Sequence, residues 1–207
     1  MNPKAAGKSR ATDRFLKMEG MDIKTIILFL TIMLVGLPAN AADFRGVSWG
    51  ATAAEIQKAE GRKADNASPQ GLIYVTTLAG IKCLAMYGLK GGQLSSGVYS
   101  FVEHRKNNGL YILDFEKIND LLTKKYGSPQ IADQWVNETY KNKPKLHGTA
   151  LWLGHLSKIS GFTNGETSIA HVLNHEDEKI SHRIYYQNKA VIKKNSNKAE
   201  NTALDAL

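Results

Sequence analysis

Six histidines, a single cysteine and a run of alternating lysines are the residues in this chain whose types and spacing suggest chemistry. His171 and His175 stand four apart in "HVLNHEDE", followed by Glu176 and Asp177. On a helix, that spacing would aim two imidazoles at one zinc ion. The segment reads instead as a strand entering a turn, where residues four apart lie roughly 13 Å from each other. It also fits no closed zinc pattern. His155, His171 and His182 lie on successive strand-like segments. If those strands are neighbours, side chains opposite one another stand about 5 Å apart. These three histidines are therefore the expected metal ligands or acid–base groups of one reading, a secreted hydrolase or metal-dependent enzyme. On the plainer reading, each satisfies a local hydrogen bond. Cys83 alternates with Ile81, Ala85 and Tyr87 in "IKCLAMYG" and is expected to be a small buried apolar residue. Nothing around it supplies the base or the electropositive setting that a thiolate nucleophile needs.

The segment "TYKNKPKLHG" places Lys141, Lys143 and Lys145 at alternate positions beside Tyr140 and His147, bounded by Gly148. Such a cluster suits an anionic membrane surface or an acidic protein. The alternative is an ordinary solvated loop. The chain has no glycine-rich phosphate loop and no nucleophile elbow. No cofactor is expected. The residue types favour a binding module over an enzyme.

Two helices and two groups of strands must position these residues. "TAAEIQKAEG" opens with Thr52 and Glu55 at capping-box spacing and closes on Gly61, suited to a left-handed C′ position. Ala51 and Ile56 stand at the staple positions around that cap. In "DFEKINDLLTKKYGSP", Phe115, Ile118, Leu122 and Tyr126 form one apolar stripe. Asp114 is the expected N-cap, and Gly127 with Pro129 ends the helix. After the first helix come three strand-like segments, "GLIYVTTLAG", "IKCLAMYGL" and "LSSGVYSFVEH", with "KGGQ" as a hairpin turn. After the second come "QIADQWVNE", "ALWLGHLSKISGF", "TSIAHVLNH" and "KISHRIYYQ", with turns at "TNGE" and "EDE". In the last strand, Ile180, His182, Ile184 and Tyr186 share one face, as in an antiparallel sheet covered on one side. The expected fold is α+β: an antiparallel sheet with two short helices on one face, arranged as a tandem helix-then-β-meander repeat. The single domain would span 42–189, with units 43–107 and 110–189 meeting near "RKNNG". The polar tail 190–207 is expected to be flexible. Trp49-Gly50 would turn the chain into the first helix, with the indole over the helix's open end, anchoring the first strand to the core.

The N-terminal part reads as an address. Thr25 to Leu37 is thirteen residues without charge, short of the roughly 17–25 that span a bilayer. Lys24 precedes it, Gly36 and Pro38 end it, and Ala39-Asn40-Ala41 offers a signal-peptidase site before Ala42. Residues 21–41 are the expected signal peptide, with Met21 as the start and 1–20 as a long n-region or a mis-placed start. An uncleaved inner-membrane anchor is the alternative. The expected location is outside the cytoplasm, in the periplasm, with no integral span in the mature chain. Taking away the six basic and three acidic residues of 1–41 leaves 21 basic and 16 acidic residues, a net charge near +5 over 166 residues. That length can bury a real core, and with Cys83 alone no intramolecular disulfide is available to help. Export and the absence of a recognised binding fold argue against nucleic acid as a partner. An envelope protein or an anionic surface fits better, and the oligomeric state is open.

The opening "DFRGVSWGATAAEIQKAEG" resembles the start of exported proteins of Gram-negative bacteria. These proteins begin with phenylalanine-arginine-glycine, then tryptophan-glycine, then a short helix. "LLTKKYGSPQIADQW" is similar to their second landmark, a helix ending in tyrosine-glycine-x-proline with a tryptophan soon after. More distantly, the order of elements resembles the small lipoprotein of the outer-membrane assembly machine and the tandem-repeat β-lactamase inhibitory protein. That resemblance implies a binding module, and it carries no catalytic residues.

Overall fold

A computed structural model describes residues 44–190 and 192. The expected signal peptide (21–41), the residues before it and all of the tail except 190 and 192 lie outside the described residues. The described chain is an α+β fold built on one nine-stranded antiparallel sheet. Helix α1 (Ala53–Glu60) precedes β1 (Asn66–Ser68), β2 (Gly71–Leu78), β3 (Ile81–Lys90) and β4 (Gln93–Phe101). Helix α2 (Asn108–Tyr126) precedes β5 (Gln130–Ile131), β6 (Gln134–Trp135), two 3-10 turns, α3 (His147–Trp152), β7 (Leu156–Asn164), β8 (Thr167–Glu176) and β9 (Lys179–Asn188). The strand order is β1-β2-β3-β4-β9-β8-β7-β5, with β6 also pairing β7. Each meander therefore ends in the middle of the sheet, where β4 lies antiparallel to β9 and Tyr99 stands opposite Ile184.

The local rules hold where the sequence states them plainly. Thr52 and Glu55 close a reciprocal capping box, and Gly61 takes the left-handed conformation at the end of α1. Gly91 and Gly92 both have positive φ in the β3–β4 turn. Ile56, Ile118 and Leu122 join Leu72, Tyr74, Cys83 and Ile184 in one core, so α1 and α2 cover the same face of the sheet. A second cluster joins Ile112 and Phe115 of α2 with Ala150 and Leu151 of α3 and with Leu156 and Leu173.

Two expectations are corrected and a third, the anchoring role of Trp49, is extended. Helix α2 begins six residues before Asp114: Asn107 is the N-cap, its side chain accepting from the Gly109 amide at 2.7 Å. Asp114 instead lies inside the helix and takes both arms of Arg105, at 2.7 and 3.0 Å. Secondly, the start of "ALWLGHLSKISGF" is the end of a third helix and not strand. Gly154 at φ 72 ends α3 while the His155 amide reaches the Ala150 carbonyl and the Gly154 amide the Leu151 carbonyl, a six-to-one and five-to-two pair that closes a helix C-terminus. Thirdly, Trp49 ties the two halves together. It packs half-buried on the core, and its indole N–H donates to Thr167 Oγ1 at the start of β8, at 3.0 Å.

The phenylalanine of the opening motif fills the central junction. Phe44 is fully buried, with its ring 4.9, 5.1 and 5.2 Å from those of Tyr87, Tyr99 and Tyr186. It occupies the space above Gly97, where a Cβ would come within 2.2 Å of the ring. Only glycine leaves that hole between Tyr87 and Tyr186, its neighbours in register.

Candidate binding site

The three histidines of the enzyme reading do not form one site. His171 and His182 sit diagonally across β8 and β9, since His171 faces Ile184 and His182 faces Leu173. Their Nε2 atoms are 2.8 Å apart, and both side chains are buried beneath α2. Phe115 stacks on His171 at 4.0 Å and Phe101 on His182 at 4.2 Å. Burial pushes both imidazoles toward the neutral form, His182 to about 3 and His171 well below its ordinary value, the latter also through His182 and Lys158. His155 precedes β7 by one residue, five positions before Ser160, which stands opposite His171. That offset is roughly 15 Å along the strand. Its ring lies 5.5 Å from Tyr140, away from the pair. Among the described residues, no group of three or more His, Cys, Asp or Glu could hold a metal ion.

Ser160 and His171 do face one another, and both Ser160 Oγ and His171 Nδ1 are buried without a hydrogen-bond partner. A hydroxyl beside an imidazole is a nucleophile–base arrangement in outline. Here Ser160 is 1% exposed and His171 0%, so no substrate reaches them, and the arrangement is core. Cys83 is likewise fully buried, with its thiol pushed up to about 11 by burial. His175 lies at the far end of β8, 5.6 Å from Trp152.

A cluster missed in the sequence surrounds Arg45, the middle residue of the opening motif. Its guanidinium clasps Glu60 at 2.5 and 2.9 Å and touches the Tyr99 hydroxyl at 3.2 Å, while the Tyr87 hydroxyl donates to the same Glu60. Burial pushes the Glu60 carboxyl up, yet the bonds from Arg45 and Tyr87 outweigh it and hold the carboxyl below its ordinary value. The cluster is a clamp that closes the end of α1 onto the start of the domain.

The lysine segment belongs to a surface. Residues Glu138–Tyr140 and Pro144–Leu146 form the two 3-10 turns, and His147 opens α3. Lys141, Lys143 and Lys145 are exposed. Lys141 Nζ reaches Glu138 at 3.2 Å, whereas Lys143 and Lys145 have no acidic partner among the described residues. Tyr140 does not project with them: it is half-buried and packs on the second core cluster. Beside Lys145 opens a groove of about 750 Å³. One wall is Lys106, Asn107 and the first turns of α2 as far as Glu116; the other runs from Pro144 to Thr149. Two glycines set its shape. A Cβ on Gly148 would fall 2.6 Å from the Gly109 amide, so α3 crosses the start of α2 with almost no separation.

Charge in the groove is lopsided. Helix α2 has no acidic residue in its first turn, so its N-terminal partial positive charge is not neutralised locally. Lys106 and Lys145 line the groove beside His147, against Glu116 alone.

No family model matches the chain, and comparison with curated proteins and with solved structures gives no match. No helix among the described residues is long and apolar enough to cross a membrane.

Proposed function

We propose that this chain is an exported, non-enzymatic binding module that meets an anionic component of the cell envelope through the groove between α2 and Pro144–Thr149, together with the exposed Lys141 and Lys143 beside it. The observation that carries this reading is the groove itself. It is open, its walls come from two helices held together by close glycine contact, and cations outnumber carboxylates on it. Of the histidines of the enzyme reading, His171 and His182 are sealed in the core, and His155 stands apart from them, half-buried beside Tyr140. Export is supported by the uncharged run Thr25 to Leu37 and by Ala39-Asn40-Ala41.

The test is co-sedimentation of the mature protein with phosphatidylglycerol vesicles at low and high salt. Each lysine near an anionic surface contributes about 1 kcal/mol. Lys141→Gln, Lys143→Gln and Lys145→Gln together should weaken binding about thirty- to hundredfold at low salt, with Lys141 contributing least because Glu138 already holds it. Added salt should act on the wild type as the substitutions do. Equal binding by both proteins, or no binding of the wild type to either vesicles or soluble polyglutamate, would overturn the reading. The export half is read from the intact mass of the secreted product, expected to begin at Ala42. A stable membrane-held product retaining 21–41 would count against it.

A further inference from the structure

Resting on the electrostatic reading above, we infer that the surface met by the groove is a lipid bilayer, entered by Leu110, Leu113, Leu146, Trp152 and Leu153. Ten large apolar side chains are exposed among the described residues; of these, Leu110 and Leu113 line the groove, and Leu146, Trp152 and Leu153 lie within or a few positions after its other wall, Pro144 to Thr149. Leu110 and Leu113 line the α2 wall, and Leu146 stands between two lining residues, Lys145 and His147. Trp152, the last residue of α3, follows the lining residue Thr149 by three positions and so lies on the same side of that helix, and Leu153 caps its end. Leu113 is 59% exposed, Trp152 and Leu153 48% each. Singly exposed apolar residues are ordinary, but a cluster is not.

The mixture of residue types points to the occupant. Leucines and a tryptophan interleaved with lysines match the interface of an anionic membrane, where apolar side chains sink roughly 5–10 Å to the acyl boundary and cations stay among the phosphates. Lysine stems can lie along the apolar layer with their ammonium groups in water. A soluble acidic ligand would engage the lysines and leave the five apolar side chains in water. A second copy of the chain would bring Lys106, Lys143 and Lys145 against their own counterparts, and like charges facing each other disfavour that pairing. Only the bilayer offers negative charge and apolar depth in one plane.

The experiment uses tryptophan emission of the mature protein. On adding vesicles of phosphatidylglycerol and phosphatidylethanolamine, emission should shift to the blue and become shielded from iodide. Trp152→Phe, which keeps the apolar bulk, should remove that shift while binding persists, assigning the signal to Trp152 and not to Trp49 or Trp135. Leu113→Ser with Leu153→Ser should lower vesicle affinity about tenfold or more, and the residual binding should vanish at high salt. Both leucines are exposed, so circular dichroism should show the double variant folded. Binding to anionic vesicles with unchanged Trp152 emission and iodide access would overturn insertion while leaving the electrostatic function standing. Binding to soluble polyglutamate but not to vesicles would overturn it in favour of an acidic protein. Absence of binding to either probe would overturn both.

Discussion

His171 and His182 share a hydrogen bond between their Nε2 atoms, 2.8 Å apart in the buried layer between the sheet and α2. One ring must donate and the other accept, so the contact requires that the two are not both imidazolium. Phe115 and Phe101 close the rings off from water on either side. The pair is thus a structural contact with a defined protonation state, and it makes the fold sensitive to acid.

The first prediction concerns that sensitivity. The unfolded chain binds protons at these histidines below a pH of about 6.5, and the folded chain does not until far lower, about 3 for His182. Stability contributed by the neutral pair is complete above about 6.5 and is lost as pH falls from there. The slope should approach about 1.4 kcal/mol per pH unit for each histidine kept neutral. Glu60 is held below its ordinary value of 4.5, so its contribution is lost only below that. Urea denaturation at successive pH values from neutral to 5 gives the measurement. Replacing both histidines by leucine should flatten the curve in this range, and an unchanged slope would assign the acid sensitivity elsewhere.

Gly97→Ala should cost about 1–3 kcal/mol or more, because the new methyl meets the Phe44 ring and the core cannot absorb it. Phe44→Ala should cost about 3–5 kcal/mol. Combined, the two changes should cost clearly less than their sum, since the second removes what the first collides with. Additive losses would mean that Phe44 does not rest on Gly97.

Leu122→Ala should destabilise the domain by about 2–5 kcal/mol, because Leu122 is buried in the main core under α2. Chemical denaturation checks this, and a loss under about 1 kcal/mol would place the residue outside the core.

Glu178→Gly should stabilise. The β8–β9 hairpin turns through Asp177 and Glu178 with φ of 49° and 61°. A left-handed conformation is strained in residues with a Cβ and free in glycine. A gain of about 0.5–1 kcal/mol in thermal or urea unfolding is expected, after the extra entropy of glycine in the unfolded chain is subtracted. A loss would show that the Glu178 side chain contributes more than its backbone costs.

Much of the fold could be read from the chain because it depends on neighbours in sequence. The capping box of Thr52 and Glu55, the left-handed Gly61, the stripe of Ile118 and Leu122 and the diglycine turn at Gly91 are decided within a few residues by hydrogen bonding and sterics. So is the alternation that buries His182, Ile184 and Tyr186 on one face of β9. The misreadings arose where local signals conflicted. "NNG" resembles a loop, which hid the first six residues of α2. "ALWL" resembles a strand, although Gly154, the very next residue, was a C′ signal for a helix.

Contacts between residues distant in the chain could not be read, because no local pattern encodes which strand becomes whose neighbour. The pairing of β4 with β9 decides that Gly97 leaves a hole for Phe44. The β8–β9 register decides that His171 meets His182 while His155 stays apart. Close approach of Gly109 and Gly148, 39 positions apart by number, brings α3 against α2 and sets Lys145, the last of the alternating lysines, into one wall of a groove. Residue types and short spacings set what each segment can do through its own dihedrals and burial pattern. Which of those capacities meet is a matter of packing, where long-range apolar contact selects one register over the others that the same segments would permit.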